Sequence, residues 1–198
     1  SVQAMESDWE NAGRFLKTIK SEGDRMSRLI GDMLSLANAD NKSWSIMKTD
    51  CELDTLLLDT YEKYQPILHG KKISLKVVLP EEPLSICKCD SARISQVLGI
   101  LLDNGASYVS AGGRMEMGVK ENEKYFQLYV QDNGPGIPDE NKEAVFRRFY
   151  RADPARKEKQ HFGLGLCIAR EIVTLHKGSI HILDTPGGGS TFVIRLPK

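Results

Sequence analysis

Val130-Gln131-Asp132-Asn133-Gly134-Pro135-Gly136-Ile137-Pro138 is the stretch whose reading decides the fold. It follows Tyr125-Phe126-Gln127-Leu128-Tyr129-Val130, an alternating run that predicts a buried or half-buried strand. A strand ending in Asp-Asn-Gly-Pro-Gly must turn sharply, because glycine accepts positive φ while proline fixes its own. Asp132 is then a carboxylate at the exit of an apolar strand. On its own, Asp-Asn-Gly reads as an Asx turn. Asn104 upstream, Phe146-Arg147-Arg148-Phe149-Tyr150-Arg151 downstream, and Gly163-Leu164-Gly165-Leu166 farther on carry the reading past that, towards a nucleotide site.

Working outward, Gly112-Gly113 turns the chain into a hairpin of two strands, Arg114 to Lys120 and Tyr125 to Gln131. Before them, Asp90 or Ser91 caps a helix through Ile94, Val97, Leu98, Leu101 and Leu102 to about Tyr108. Further upstream the pattern predicts a short strand over Ser45 to Thr49, a helix from Glu52 to Leu68, and strands at Ile73 to Leu79 and Leu84 to Lys88. Pro66 is expected to kink that helix and Gly70 to cap it. Downstream come a polar loop from Asp139 to Phe162 and a helix from Gly163 to His176. A last hairpin, Ser179 to Asp184 and Ser190 to Leu196, closes on Gly187-Gly188-Gly189. The expected fold is α+β, an α/β sandwich with one mixed sheet and helices layered on one face.

Residues 8–38 read as one long helix, with Ile19, Met26 and Met33 repeating every seven positions and Leu29 with Leu36 forming a second row. Such a stripe wants a partner helix. Residues 1–43 are therefore expected to be part of a helical module, and 44–198 a second domain. The start at Ser1-Val2-Gln3, without Met, suggests a piece of a longer chain.

Lys+Arg and Asp+Glu balance at 27 each, which gives no nucleic-acid footprint and no basic membrane surface. No apolar run approaches the ~20 residues that a membrane-spanning helix needs. The four cysteines (Cys51, Cys87, Cys89, Cys167) are spaced too irregularly for a disulfide framework or a zinc site, and are expected to be reduced and structural. Cys87 and Cys89 would share one strand face.

The chemistry rests on three groups. Asn104 sits beside the buried stripe of its helix, where an amide oxygen can take one position around Mg²⁺ with phosphates and water filling the rest. Gly163 to Leu166 opens a helix, so backbone N–H groups and the helix dipole face a place where phosphates could lie. Arg147, Arg148, Arg151, Arg156, Lys157 and Lys159 supply cations in the connecting loop, as a lid over a triphosphate would, with Phe146, Phe149 and Tyr150 as its anchors.

These residues carry a resemblance. The chain resembles the ATP-binding catalytic domain of bacterial sensor histidine kinases, with the second helix of the dimerisation domain in front. Gln96 to Asn104 resembles the N box, Asp132 to Gly136 the G1 box, Val145 to Arg151 the F box, and Gly163 to Leu166 the G2 box. Gly187 to Phe192 resembles the final glycine-rich turn. The resemblance implies a Bergerat-type fold, ATP and Mg²⁺ as ligands, and Asp132 as acceptor for the adenine amine. It implies Gly136 letting the backbone approach the ring, Gly134 and Ile137 among the ATP-binding residues, Tyr108 against base or sugar, and Asn104 on Mg²⁺. Arg151 with amides of the lid would hold the phosphates, and Phe149, Tyr150, Gly163, Leu164, Gly165, Leu166 and Thr191 would complete the ATP-binding residues. It further implies transfer of the γ-phosphoryl group to a histidine, relay to a response regulator receiver domain, and a homodimer formed through the helical region. The setting implied is the cytoplasmic portion of a membrane-anchored sensor kinase, touching membrane only through segments outside this sequence.

The sequence departs from the family pattern at two points. None of the four histidines, His69, His161, His176 and His181, stands in the family's acceptor motif. In the N box, Ile100 replaces the common Asn, Gly105 the usual Ala, and Ser107 the usual Lys or Arg. Three readings stay open: a kinase catalytic domain, an ATP-hydrolysing relative of the same fold, and a degenerate module acting through signalling contacts or dephosphorylation. The second would need a water-activating Glu where Ile100 stands.

Overall fold

The computed structural model describes residues 2–40, 45–150 and 162–198. The chain divides into two units, Ser1–Trp44 and Ser45–Lys198.

The first unit is helix α1 (Val2–Asp40). Ile19, Met26, Ile30 and Met33 on it remain at least half exposed, together with Phe15 and Leu16. The seven-residue apolar repeat thus forms the helix but leaves large side chains in contact with water.

In the second unit the elements run β1 (Thr49–Cys51), α2 (Leu53–Gly70), β2 (Ser74–Val78), β3 (Cys87–Cys89), α3 (Ser91–Tyr108), β4 (Arg114–Glu121) and β5 (Tyr125–Asp132). They continue with α4 (Asp139–Lys142), a 3-10 turn (Ala144–Phe146), α5 (Gly165–Leu175), β6 (Ser179–Asp184) and β7 (Ser190–Pro197). The main sheet has the order β2-β4-β5-β7-β6. β2 is parallel to β4, and every other neighbour in it is antiparallel. This is the mixed sheet that the hairpins predict.

The alternation in β5 is strict: Phe126, Leu128, Val130 and Asp132 are buried, while Tyr125, Gln127, Tyr129 and Gln131 are half-buried. Met115, Met117 and Val119 of β4 and Phe192, Ile194 and Leu196 of β7 complete the same apolar layer. Against it lie the buried stripes of α2 (Leu53, Leu57, Leu68), α3 (Ile94, Leu98, Leu101, Leu102) and α5 (Ile168, Ile172, Val173). α3 starts where predicted, because the Asp90 carboxylate accepts the Arg93 N–H at 3.1 Å.

Several local expectations are corrected. The two short upstream strands form a separate two-stranded sheet, β1-β3, because they pair with each other and not with the main sheet. They are also displaced in sequence, to Thr49–Cys51 and Cys87–Cys89. α2 runs through Pro66 to Gly70. The left-handed residue after it is Lys72 (φ 59°), not Gly70. α5 starts at Gly165, two residues later than expected, because Gly163 takes a positive φ (73°). The loop after Pro138 is not wholly irregular, since it carries α4 and the 3-10 turn.

Candidate functional site

Asp132 occupies the last inward-facing position of β5, following three apolar residues on the same face. Its side chain is 7% exposed. Oδ1 accepts the Gly134 N–H at 2.8 Å, the expected Asx turn, and also the Ser190 N–H at 3.3 Å. Among the described residues no donor reaches Oδ2. Burial pushes the carboxyl above its ordinary range, and the two N–H donors pull the other way. The group is held by one oxygen and offers the other.

The backbone around it comes unusually close. A Cβ on Gly189 would lie 2.0 Å from the Asp132 carbonyl oxygen, and Gly189 has φ 108°. A Cβ on Gly136, itself at φ 80°, would lie 3.4 Å from the Gly189 carbonyl oxygen. A Cβ on Gly134 would lie 2.9 Å from Asp132 Oδ1. The β5 turn and the β6–β7 turn therefore interlock without side chains, and the absence of side chains is what lets them meet. Thr191 adds a hydroxyl contact with Thr185 at 2.9 Å beside this junction. Ile137 is half-buried at the exit of the turn.

The C-terminal end of α3 abuts the same place. A Cβ on Gly105 would be 3.7 Å from the Asp132 Cβ, and a Cβ on Gly134 would be 3.6 Å from the Tyr108 carbonyl oxygen. Tyr108 is 38% exposed at the helix end. Asn104 is half-buried one turn earlier, and no described group hydrogen-bonds its carboxamide. Ser107 turns its hydroxyl back to the Asp103 carbonyl at 2.9 Å. One turn before Asn104, Ile100 lies against the start of α5, its Cγ2 3.2 Å from where a Gly165 Cβ would be.

α5 begins without a side-chain cap, so the amides of its first turn point out of the helix. Leu164 is fully buried and fixes that end, while Gly165 and Leu166 are half-buried. The Gly163 carbonyl accepts the Phe149 N–H at 2.9 Å, which ties the end of the connecting loop to its beginning. Tyr150 donates its hydroxyl to Asn141 Oδ1 at 2.7 Å. Phe146 is the buried anchor, edge-on to Phe192 with centroids 6.5 Å apart and under the Arg170 guanidinium. Phe149 is not an anchor. It is 60% exposed with φ 60°, because the turn that returns to Gly163 aims its ring outward. Arg151, Arg156, Lys157, Lys159 and His161 lie outside the described residues.

Three parts predicted separately thus come together: the Asp132 turn, the Asn104–Tyr108 end of α3, and the Gly165 end of α5 through Ile100. Two residues that hold the site were read from the sequence only as part of the final glycine-rich turn, without these roles: Ser190 as donor to Asp132 and Gly189 as the point of backbone contact. The run of three glycines before Ser190 was the available signal. A separate concavity of about 350 Å³ lies between α2 and α3, lined by Lys63, Tyr64, Gln96, Gly99 and Asp103 among others, and Asp132 takes no part in it.

The residues fit a purine nucleotide with a divalent cation. The unused Oδ2 suits an exocyclic amine, and an uncapped helix start suits phosphate. No cluster of three or more His, Cys, Asp or Glu among the described residues could hold a metal unaided. One amide oxygen with substrate phosphates is how Mg²⁺ is usually held.

Comparison with known proteins identifies the family of this fold. Residues 89–198 match the family described as histidine kinase-, DNA gyrase B-, and HSP90-like ATPase. The chain is 35% identical over 201 residues to the sensor histidine kinase WalK of Bacillus subtilis, covering 97% of this chain and 32% of that protein. It is 34% identical over 184 residues to the sensor protein SrrB of Staphylococcus aureus, covering 92% of this chain and 31% of that one. It therefore spans about a third of the length of these relatives. A crystal structure of full-length ShkA in complex with AMPPNP superposes with a TM-score of 0.82 at 21% identity, over 92% of this chain and 38% of that one, and shows the shared fold. The chain belongs to the histidine kinase-, DNA gyrase B-, and HSP90-like ATPase family, and its domain is of the sensor histidine kinase type.

Proposed function

We propose that this chain binds Mg-ATP at the junction of the Asp132 turn, α3 and α5, and serves as the phosphoryl-donating domain of a two-component sensor kinase. The observation that carries it is Asp132: a buried carboxylate with one oxygen satisfied by Gly134 and Ser190 and the other unused. Oδ2 accepts the adenine N6 amine, which guanine lacks at that position, so the site selects adenine. Gly136 lets the backbone approach the ring, and Tyr108 lies against base or sugar. Asn104 Oδ1 holds Mg²⁺, which when bound neutralises phosphate charge. The first-turn amides of α5 and the Arg151 side chain orient the phosphates, so that a neutral imidazole nitrogen can attack the γ-phosphorus in line with ADP leaving.

The acceptor imidazole belongs to a histidine outside these 198 residues. His176 is buried, with both ring nitrogens engaged. From the acceptor the phosphoryl group passes to an aspartate of a response regulator receiver domain. The exposed apolar row of α1 serves homodimerisation, and the domain works on the cytoplasmic side of a membrane-anchored sensor. No helix among the described residues is long and apolar enough to cross a membrane.

A second reading is favoured by Ile100, which puts an alkyl group at the start of α5 where a polar side chain would face phosphate. In that reading the domain binds nucleotide poorly and acts through its contacts. ATP affinity measured with and without Mg²⁺ decides between them. Tight, Mg²⁺-dependent binding supports the kinase reading, and no binding at millimolar ATP overturns it. Incubation with γ-labelled ATP is expected to leave no acid-labile label on this chain's own histidines.

A further inference from the structure

The small sheet β1-β3 is lined with sulfur. Its register sets Thr49 opposite Cys89, Asp50 opposite Lys88, and Cys51 opposite Cys87. Alternation puts Cys87 and Cys89 on one side of β3 with Lys88 on the other. All three cysteines are free, with exposures of 8% for Cys51, 1% for Cys87 and 0% for Cys89. The Cys89 thiol interacts with both of the others. A buried cysteine is commonly only a small apolar side chain. Three thiols on one ladder of three residue pairs also make a two-electron reductant.

We propose that the β1-β3 sheet is an oxidative modification site, at which hydrogen peroxide converts Cys51 and Cys87 into a reversible disulfide. The register selects the pair. Directly opposed residues of an antiparallel ladder have Cα atoms about 4.5–5.5 Å apart, inside the roughly 4.4–6.8 Å that a disulfide needs. Cys51 and Cys89 are diagonal neighbours, about 7–8 Å apart and too distant. Cys87 and Cys89 are separated by two strand rises, about 6.7 Å, with parallel Cα–Cβ bonds that keep their sulfurs from bonding distance.

Cys87 is the attacking sulfur. The hydrogen bond from Cys89 and the nearby Lys48 charge hold its thiol below the ordinary range despite burial, whereas burial raises Cys51. The Cys87 thiolate takes one oxygen from the peroxide, giving a sulfenic acid and hydroxide, which a proton converts to water. The Cys51 sulfur then attacks the Cys87 sulfur, the S–O bond breaks, and a second water leaves with the Cys51 proton. Two thiols are oxidised by two electrons and one peroxide is reduced to two waters. Access comes from local opening, since each strand has three residues and the sheet stands apart from the five-stranded one.

The test is peptide mapping of the folded wild-type chain after mild peroxide treatment, with remaining thiols blocked by iodoacetamide and no reductant added. The expected product joins the Cys51 and Cys87 peptides within one chain and leaves Cys89 and Cys167 alkylated. It reverts with dithiothreitol. Closing the loop between those positions should raise Tm by roughly 5–10 °C over the reduced chain. Cys89→Ala should still form the link, but several-fold more slowly. If all four cysteines stay alkylatable, if Cys87 stops at sulfinic acid, or if a different pair is joined, the proposal is wrong. Added zinc that protects the three thiols and prevents the link would also overturn it, in favour of a metal site.

Discussion

Asp132 and Ser190 lie 58 positions apart, yet the Ser190 N–H donates to Asp132 Oδ1 at 3.3 Å. The bond exists because β5 and β7 are antiparallel neighbours, with Gln131 opposite Thr191, so the end of one strand meets the start of the other. Together with the Gly134 N–H it fixes the carboxylate plane and leaves Oδ2 for a ligand.

Asp132→Asn should weaken ATP binding at least tenfold, a loss of order 1–3 kcal/mol, because an amide in that plane presents N–H to the adenine amine. Its effect on stability should have the opposite sign. The folded carboxyl is raised above its unfolded value of 3.8, so ionising it opposes folding as pH rises through the folded value. At pH 7 the variant should melt at or above the wild-type temperature. Calorimetric titration and thermal melts check both halves, and unchanged affinity would reduce Asp132 to a turn residue.

Gly189→Ala should be among the most damaging substitutions of a small residue. The new Cβ would sit 2.0 Å from the Asp132 carbonyl oxygen at φ 108°. Backbone strain and overpacking each cost about 1–3 kcal/mol, so Tm should fall by roughly 5–15 °C. Gly187→Ala is the control. Its φ of 86° is also left-handed, but nothing lies within 4 Å of the added Cβ, so its loss should be clearly smaller.

Ser107→Lys should tighten ATP binding several-fold at low salt, about 0.5–1.5 kcal/mol, with the gain shrinking as salt rises. Position 107 follows Asn104 by three residues on α3, so both face neighbouring parts of one surface. Asp103, one turn before, competes for the new ammonium and limits the gain. Affinity that does not move at low salt would place the phosphates elsewhere.

His176 makes stability fall on mild acidification. Its Nε2 accepts the Asp90 N–H at 3.0 Å, and Nδ1 lies 2.8 Å from the Ile172 carbonyl, an arrangement that requires the neutral ring. Burial holds its folded value below 6.5, and His181 is shifted the same way. The unfolded chain therefore takes up protons first, and stability declines as pH drops through about 6.5 and below. Melts between about pH 7.5 and 5.5 should show the decline, and His176→Gln should remove most of it. A flat wild-type profile would contradict the assignment.

Much of this molecule was legible because its signals are local. The two-residue alternation of Tyr125 to Gln131 named both a strand and its buried face. Asp90 announced a helix cap, and Asp-Asn-Gly announced the turn that Gly134 closes. Gly136 marked the positive φ observed there, whereas Gly163, read as a helix start, takes a positive φ as well. What the sequence could not carry was pairing between distant segments. Thr49–Cys51 and Cys87–Cys89 are too short to show a period, and only their mutual ladder makes them strands and sets them apart from the main sheet. Phe149 read as an anchor because aromatics usually pack, but the return of the chain to Gly163 turned it outward. By itself the sequence determined the helices, the hairpins, the order of the motifs and the carboxylate at the end of β5, since each depends on residues within a few positions. Tertiary structure alone decided that Ser190 holds Asp132, that Gly189 lets two turns touch, and that three cysteines share one small sheet. Those contacts depend on strand neighbours that no local pattern encodes.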